Sequence, residues 1–226
     1  MKELEQNAFL LHSRPLRDNK VIAEFLTELN GKVSAIVYVS SSVKSNKKAL
    51  LQPFTPLIIV LKGKGNLKTL NRIEVSSKSF LLTSDHLYSG FYLNELQVRL
   101  LGEHIPYENL YELYNLCLVD LADKKAIEPI LRRFENTLLE ELGLTIDFSV
   151  INTQEEQFYY LPEQGFVPVA ENLAQPRYCR TDLIAINDQD FSLVEVRKTH
   201  KVLMRQIINH LLGGKPLNSR QLFKKR

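Results

Sequence analysis

The stretch from Ala8 to Val39 decides the fold of the first part of this chain. It contains three apolar runs: Ala8-Phe9-Leu10-Leu11, Val21-Ile22-Ala23-Glu24-Phe25-Leu26 and Val33-Ser34-Ala35-Ile36-Val37-Tyr38-Val39. Polar segments separate the runs, and the second of these is Asn30-Gly31-Lys32, which is typical of a hairpin turn. The β-branched residues and the near-alternation of the third run therefore predict consecutive strands joined by a hairpin.

Two further apolar runs, Pro56 to Leu61 and Leu67 to Val75, lie on either side of a break at Gly63 and Gly65. Several short strands in so few residues are typical of a small closed barrel, because closure leaves no strand edge with unpaired backbone groups. From Asp85 onward the apolar residues recur at helical spacing instead. We predict an α+β protein, with a five-stranded barrel in residues 1–80 and a mainly α-helical domain in residues 81–226.

The helical part is predicted to begin with three helices. The first is capped by Ser84 or Asp85, the second starts near Pro106, and the third starts at Glu128-Pro129. Short connections between them predict a bundle packed beside the barrel. A last helix is predicted to have Thr199 as its N-cap and to end at Gly213-Gly214. Residues 145–196 are predicted to form a small irregular insertion with short strands at Gln157–Leu161, Gly165–Val169 and Leu183–Ile186.

The composition is that of a soluble globular protein, with 44% hydrophobic and 24% charged residues in 226. Charged residues interrupt every apolar run before it reaches the roughly 18 residues that a membrane span needs, and the first residues lack the apolar core of a signal peptide. Cys117 and Cys179 lie far apart and form no CxxC pair, which excludes a disulfide framework. We therefore expect a cytoplasmic protein.

The net charge of +3 conceals an uneven distribution of charge along the chain. Residues 1–80 contain 13 basic and 6 acidic residues, and residues 197–226 contain 9 basic and no acidic residues. Residues 81–196 between them contain 7 basic and 20 acidic residues. Two separate basic blocks favour a polyanionic partner, with nucleic acid as the first candidate, over a charge pattern that serves only solubility.

The candidate DNA contacts are the basic residues of these two blocks. The polar segment from Ser40 to Lys48 has three lysines and no acidic residue, which is typical either of a mobile loop that contacts phosphates or of an ordinary solvated loop. Phe54 or Tyr38 is a candidate for stacking on bases, although aromatic residues of small barrels more often belong to the core. The predicted DNA-binding residues are Arg14, Arg17, Lys32, Lys44, Lys47, Lys48, Lys62, Lys64, Arg72, Lys201, Arg205, Lys215 and Arg220.

Five stretches, in order along the chain, resemble the RecO family of bacterial DNA repair and recombination mediator proteins. They are Phe9 to Pro15, Leu51 to Leu57, Leu87 to Leu96, Leu131 to Glu135 and Leu211 to Phe223. The resemblance implies an N-terminal OB-fold, binding to single- and double-stranded DNA, and annealing of complementary strands. It also implies contacts with RecR and with the acidic tail of single-strand DNA-binding protein. Many members have a four-cysteine zinc site, but Cys179 is the one cysteine between Thr145 and Arg180, so we expect no metal or other cofactor.

Arg132 and Arg133 are basic residues within the acidic part of the chain. Surface ion pairs with neighbouring glutamates would explain them, and such pairs contribute only tenths of a kcal/mol. The resemblance supports a second interpretation, a site for the partner's acidic tail, because a planar guanidinium can hold a carboxylate with two hydrogen bonds. The predicted tail-binding residues are Arg132, Arg133, Tyr92 and Leu96.

The histidines form no HExxH spacing and the chain contains no GxSxG motif, so no catalytic constellation is indicated. We predict a non-enzymatic recombination mediator that anneals DNA strands and helps to load recombinase onto DNA coated with single-strand-binding protein. Two alternatives stay open. One is a metal-dependent DNA-processing enzyme, which magnesium-dependent strand cleavage would reveal, and the other is an OB-fold module that binds only proteins.

Overall fold

The structure, a computed structural model, describes residues 5–17, 19–39, 47–170 and 173–223. In chain order its elements are β1 (Glu5–Pro15), β2 (Lys20–Thr27), β3 (Gly31–Tyr38), α1 (Lys47–Leu50), β4 (Pro56–Lys62), β5 (Lys68–Val75), α2 (Ser84–Leu100), α3 (Leu110–Ala122), α4 (Ile127–Glu141), a 3-10 turn (Ser149–Ile151), β6 (Gln157–Leu161), β7 (Gly165–Pro168), β8 (Arg177–Cys179), α5 (Arg180–Asn187), α6 (Val194–Leu211) and α7 (Ser219–Leu222). The chain divides into two compact units. The first is Met1–Leu142 with Leu217–Arg226, and the second is Gly143–Pro216.

The first five strands form a closed barrel in the order β1-β2-β3-β5-β4. Strands β3 and β5 run parallel, whereas the other neighbours are antiparallel. Alternate residues of each strand point inward, which is the period expected of strands with one buried face. The barrel core is formed by Ala8, Leu10, Ala23, Phe25, Ala35, Val37, Leu51, Leu57, Ile59, Leu70 and Ile73. The prediction of a five-stranded OB-fold barrel is confirmed.

Gly31 shows how closely the helical part lies against this barrel. Its φ of +61° is in the left-handed region, and a Cβ at this position would lie 1.8 Å from the carbonyl oxygen of Ile105. Only glycine fits, because a side chain would both strain the backbone and collide with the segment after α2. That segment pairs with the start of β3: Glu103 forms a parallel bridge with Lys32, and the amide of His104 donates to the carbonyl of Lys32 (2.8 Å).

Helices α2, α3, α4 and α7 complete the first unit, so the predicted helical bundle beside the barrel is confirmed. Asn94 of α2 donates a hydrogen bond to the carbonyl of Leu11 (3.1 Å) and accepts one from Tyr114 of α3 (2.5 Å). The barrel and these helices belong to the same compact unit, whereas the prediction placed a domain boundary at residue 80. The N-cap position of α2 is Thr83, not Ser84 or Asp85, and its side chain makes no capping hydrogen bond.

The second unit contains a three-stranded sheet in the order β7-β6-β8, followed by α5 and α6. The strand predicted at Leu183–Ile186 is wrong. This segment lies in α5, where the buried Leu183 and Ile186 are three residues apart, as on one face of a helix. The predicted cap Thr199 lies inside α6, and its hydroxyl donates to Asp182 of α5 (2.5 Å). Gly213 and Gly214 follow α6 with positive φ, as a helix end requires.

Candidate nucleic-acid interface and guanidinium cluster

The end of the barrel beside the β1–β2 turn presents a continuous outer face. Arg14 pairs with Ile22, Ile22 pairs with Ile36, and Lys20 pairs with Tyr38. Cross-strand partners project from the same side of a sheet. The next pair, Ala23 and Ala35, points into the barrel core, so these residues point outward.

The side chains on this outer face are accessible. Tyr38 is 53% exposed, and the ammonium of Lys20 lies 5.3 Å from the centre of its ring, as in a cation–π pair. Arg14 and Arg17 are exposed and form no hydrogen bond or ion pair with any other residue that the structure describes. We call Arg14, Arg17, Lys20, Ile22, Ile36 and Tyr38 the basic barrel face.

This arrangement suits a nucleic-acid backbone and its bases. Arginines without carboxylate partners keep their full charge for phosphates, and phosphate contacts supply most of the affinity of nonspecific DNA binding. An accessible tyrosine offers a flat apolar surface to an unstacked base. The outer face of β2 and β3 is also the surface on which OB-folds generally bind oligonucleotides.

Lys32 was predicted to bind DNA, and the structure corrects this prediction. The residue is only 8% exposed, and its ammonium donates a 2.7 Å hydrogen bond to the carbonyl of Val98 in the last turn of α2. Burial lowers the pKa of Lys32, while the nearby carboxylates of Glu24 and Glu103 act in the opposite direction. A cation at the carboxyl end of a helix also interacts favourably with the helix dipole. Lys32 therefore joins the barrel to α2.

The lysine-rich segment from Ser40 to Lys48 is described only at its end. Lys44 and the rest of residues 40–46 lie outside the described residues. Lys47 and Lys48 begin helix α1 and are not part of a loop, which corrects the predicted extent of the mobile segment. The ammonium of Lys47 donates to the carbonyl of Asn71 (3.0 Å) in β5, whereas Lys48 is exposed.

Three further cations that were predicted to bind DNA, Arg72, Lys62 and Lys64, do not lie on the basic barrel face. Arg72 forms ion pairs with Glu74 (2.8 Å) and Glu5 (3.3 Å), so its charge is neutralised locally instead of being free as predicted. Lys62 and Lys64 are exposed at the β4–β5 turn. Gly63 of this turn lines a small cavity with Asn30, which places the turn at the end of the barrel remote from Tyr38.

The predicted DNA-binding residues Lys201, Arg205 and Lys215 belong to the second unit. Lys201 and Arg205 are four residues apart on α6 and therefore lie on one face of that helix. Arg205 is exposed and Lys201 is half-buried, and Lys215 is exposed beyond the end of the helix. These residues form a separate basic stripe on the second unit.

The predicted tail-binding residues lie in a cluster that is already largely paired. Two nitrogens of Arg132 contact the two carboxylate oxygens of Glu135, at 2.7 and 2.8 Å, and the hydroxyl of Tyr92 donates to the same carboxylate (2.5 Å). The guanidinium of Arg220 lies 5.8 Å from the centre of the Tyr92 ring. Burial raises the pKa of Tyr92, and the Glu135 charge raises it further, so its hydroxyl remains a donor. We call Tyr92, Arg132, Glu135 and Arg220 the guanidinium cluster.

Arg133 lies beside this cluster and contacts a different carboxylate. It donates to Asp120 (2.7 Å), which also accepts a hydrogen bond from Lys125 (2.6 Å). These hydrogen bonds, first that of Lys125, lower the pKa of Asp120. Arg133 therefore shares the Asp120 carboxylate with Lys125, which Asp123 also attracts, and the exposed Arg133 guanidinium is less fully paired than that of Arg132. Leu96 is fully buried, so it does not form an accessible wall as predicted.

Sequence reasoning missed three residues that contact the side chains or segments of these candidate sites. Lys20 could have been found, because a hairpin that pairs Thr27 with Gly31 places Lys20 opposite Tyr38. Glu135 could have been found from its position three residues after Arg132 on a helix. The third, Glu95, accepts hydrogen bonds from the backbone of Asn218 and Ser219 and from the Ser219 hydroxyl, at 2.7 to 2.8 Å. No sequence signal indicates this contact, because its partners are more than 120 residues away.

In the part of the chain that the structure describes, no group of three or more His, Cys, Asp or Glu side chains is arranged to hold a metal ion. Among the same residues, no helix has both the length and the apolar character of a membrane span.

The whole chain matches known protein families and relatives. Residues 1–78 match the family model described as Recombination protein O N terminal, and residues 82–221 match Recombination protein O C terminal. A protein of Aliivibrio salmonicida named DNA repair protein RecO is 37% identical over 229 aligned positions, which cover 99% of this chain and 96% of the relative. Proteins of the same name from Coxiella burnetii and Haemophilus influenzae are also 37% identical, over 95% and 96% of this chain and 95% and 94% of their own lengths.

A closed OB-fold barrel followed by a helical bundle places the chain among the OB-fold proteins with an α-helical C-terminal part. The matches narrow this class. The chain belongs to the RecO family of DNA repair proteins, as the resemblance in the sequence had indicated.

Proposed function

We propose that this protein is a non-enzymatic recombination mediator, acting on the nucleoid in the cytoplasm, that binds single- and double-stranded DNA and anneals complementary strands. It also helps to load recombinase onto DNA coated with single-strand-binding protein, in contact with RecR and with the tail of that protein. Membership in a family of DNA repair proteins supports the proposal. The observation that carries it is the basic barrel face, with two exposed arginines that have no carboxylate partner among the described residues.

Annealing follows from the charge of such a surface. Two single strands repel each other because each carries one negative charge per nucleotide, and cations that neutralise phosphates reduce this repulsion. A surface that holds one strand by its phosphates leaves the base edges free to pair with a second strand. This requires no nucleotide hydrolysis and no catalytic residue.

A salt titration tests DNA binding directly. The affinity for a single-stranded oligonucleotide is measured at several salt concentrations for the wild type and for the double variant Arg14→Ala/Arg17→Ala. If each arginine contacts one phosphate, the slope of log affinity against log salt should become shallower by about 1.4 units, because each phosphate contact on a single strand contributes about 0.7. The matched control is Arg72→Ala, an exposed barrel arginine that is paired with two carboxylates, and it should leave the slope nearly unchanged. An equal effect of both substitutions would mean that the basic barrel face is not the DNA site.

Strand annealing and strand cleavage can be followed in the same reactions. The wild type should accelerate the pairing of two complementary labelled strands, and Arg14→Ala/Arg17→Ala should slow it in parallel with the loss of affinity. Magnesium should produce no shortened strands, because the proposed mechanism breaks no bond. Shortened strands that depend on magnesium and on active protein would favour the DNA-processing enzyme instead.

The basic stripe on α6 is proposed as a second DNA contact. Arg205 and Lys201 lie on one face of this helix, and a second contact would let one molecule hold two strands. In the salt titration, Lys201→Ala/Arg205→Ala should reduce the slope less than the barrel substitutions do, because Lys201 is already half-buried. An unchanged slope would assign the stripe a role in solubility.

The tail of single-strand DNA-binding protein is proposed to bind beside the guanidinium cluster, with Arg133 and Arg220 as its main cations. The pairing of Arg132 with Glu135 uses both nitrogens of the Arg132 fork, so Arg132 mainly positions the cluster. Arg133 shares its carboxylate with Lys125, and Arg220 lies on the Tyr92 ring, so both keep positive charge for an acidic peptide. Arg220 was predicted to contact DNA, and its position on the Tyr92 ring leads us to propose it for this peptide site instead.

A peptide titration tests the tail site. The probe is a synthetic peptide with several aspartates, an apolar last residue and a free carboxylate, and its control is the same peptide with an amidated end. Arg133→Ala should weaken binding by roughly 1.5–3 kcal/mol, the range of a hydrogen bond to a charged group. Binding of DNA should not change. Equal binding of the wild type and Arg133→Ala, or joint loss of DNA and peptide, would contradict a separate tail site. Co-sedimentation with purified RecR tests the remaining partner.

A further inference from the structure

We propose that Tyr38, supported by Lys20, is a stacking site for one unstacked base of single-stranded DNA. The inference rests on the proposed DNA binding and adds a contact that distinguishes single strands from duplexes. The basic barrel face then has two components. Its arginines contact phosphates of any nucleic acid, whereas Tyr38 contacts a base only where that base is free.

The exposure of Tyr38 sets it apart from the other aromatic residues of the barrel. Phe9, Phe25 and Phe54 are between 0 and 4% exposed and belong to packed interiors, whereas Tyr38 is 53% exposed. Among the described residues of the barrel strands and their connections, it is the one aromatic side chain with a large accessible surface. The core therefore does not require an aromatic residue at this position. Phe54, the other candidate from the sequence, is excluded by its burial.

The surroundings of Tyr38 limit where the ring can lie and leave it accessible. Its backbone is fixed by pairing with Lys20 at the end of β3, and Val39 donates a hydrogen bond to the carbonyl of Asn19 (2.8 Å). The ammonium of Lys20, 5.3 Å from the ring centre, covers at most one of the two ring faces. A base can stack on the other face while Lys20 stays beside it.

The neighbours of Tyr38 match the chemistry of a single-stranded nucleic acid. Ile22 and Ile36 continue the apolar surface along the same face and are half-buried, while Arg14 and Arg17 supply cations at its margin. A flat apolar platform with cations along its edge is complementary to a base and the phosphates next to it. A duplex has no free base face to offer, because its bases are stacked on one another. Tyr38 should therefore contribute to binding of single strands and not of duplexes.

The experiment compares the affinities of three variants for single-stranded and duplex DNA over a range of salt concentrations. A single strand with 2-aminopurine as one of its bases is the first probe, and a fluorescein-labelled duplex is the second. Tyr38→Ala should weaken single-strand binding roughly 5- to 150-fold, the range typical of one base–aromatic stack. Its salt slope should stay unchanged, because stacking releases no counterions. Tyr38→Phe should retain the affinity, and Tyr38→Leu should not, although it keeps an apolar side chain of moderate size.

The matched control is Leu29→Ala, which removes an apolar side chain of similar exposure (47%) from the opposite end of the same hairpin. It should bind both probes as the wild type does. Wild-type affinity in Tyr38→Ala would overturn the stacking site. So would an equal loss on both probes with a shallower salt slope, because Tyr38 would then act only by positioning Lys20. If the wild type binds neither probe, both the stacking site and the proposed DNA binding are wrong. If only the stacking site is wrong, Arg14→Ala/Arg17→Ala should still make the salt slope shallower.

Discussion

The basic barrel face and the guanidinium cluster contain the same kinds of side chain in opposite electrostatic states. On the barrel face, Arg14 and Arg17 project into solvent without a carboxylate partner among the described residues. In the guanidinium cluster, Arg132 is 14% exposed and is paired through two nitrogens with the fully buried carboxylate of Glu135. The barrel face leaves its positive charge exposed to solvent, whereas the charge of Arg132 is compensated inside the protein by Glu135.

This difference shows why counting basic residues is a poor guide to a binding surface. An exposed cation without a partner loses little on binding a phosphate, because it gives up only water and counterions. A buried, paired cation must first leave its carboxylate, and the carboxylate is then left uncompensated in the interior. Arg72 and Lys32 are further barrel cations that already have protein partners.

The largest effect is expected when the arginine of the buried Arg132–Glu135 pair is removed. Arg132→Ala leaves the carboxylate of Glu135 buried without its guanidinium, and should lower the free energy of unfolding by about 3 kcal/mol. Urea titration followed by circular dichroism measures the change. Arg133→Ala is the control, because its guanidinium is 47% exposed and should contribute no more than about 1 kcal/mol to stability.

A second variant tests whether the uncompensated charge of Glu135 causes the loss of stability in Arg132→Ala. The double variant Arg132→Met/Glu135→Gln keeps the volume and the acceptor for Tyr92, and should recover most of the stability that Arg132→Ala loses. If Arg132→Ala is as stable as Arg133→Ala, the Arg132–Glu135 pair does not stabilise the fold. The proposed difference between the guanidinium cluster and the basic barrel face would then be wrong.

Lys32 provides the second test, since it lies on the barrel but behaves like a member of a buried cluster. Lys32→Ala removes a charged donor from the carbonyl of Val98 and should destabilise the protein by about 2 kcal/mol, without changing the salt slope of DNA binding. Thermal unfolding and the oligonucleotide titration give the two readouts. Lys64→Ala, at an exposed turn, should leave stability unchanged. A shallower salt slope in Lys32→Ala would indicate that Lys32 contacts DNA phosphates after all.

The smallest effect concerns Glu95, which joins the C-terminal segment to α2. Burial alone would raise the pKa of Glu95, but hydrogen bonds from Ser219 and Asn218, with the charge of Arg99, outweigh it and the pKa lies below its usual value. A carboxyl with a lowered folded pKa stabilises fully above its unfolded pKa of about 4.3, and this contribution is lost as the pH falls through the folded value. The contribution should be about 1 kcal/mol, the typical value of a helix cap.

Nuclear magnetic resonance can follow this contact. The amide signals of Asn218 and Ser219 should move together as the pH falls through the lowered pKa of folded Glu95, because the acceptor is then protonated. Glu95→Gln should show the shifted positions already at neutral pH and no transition. A transition that persists in Glu95→Gln would assign the pH dependence to another carboxyl.

Local sequence patterns were enough to predict the barrel strands and the bundle helices. The alternation from Val33 to Val39 and the Asn30-Gly31 turn determine a hairpin because both depend on residues that are close in sequence. The helices could be predicted for the same reason. The pattern was insufficient at Leu183–Ile186, where an apolar run of four residues is too short to distinguish a strand from a buried helix.

The sequence by itself determined that the chain is basic at both ends, where the barrel strands and the bundle helices form, and to which family it belongs. Only the tertiary structure decided which cations are free. Lys32 meets Val98 across 66 residues and Arg72 meets Glu5 across 67, and no local pattern encodes such pairs. Whether a charge is available depends on what the fold places within about 3 Å of it, and that distance is set by packing between segments that are remote in sequence.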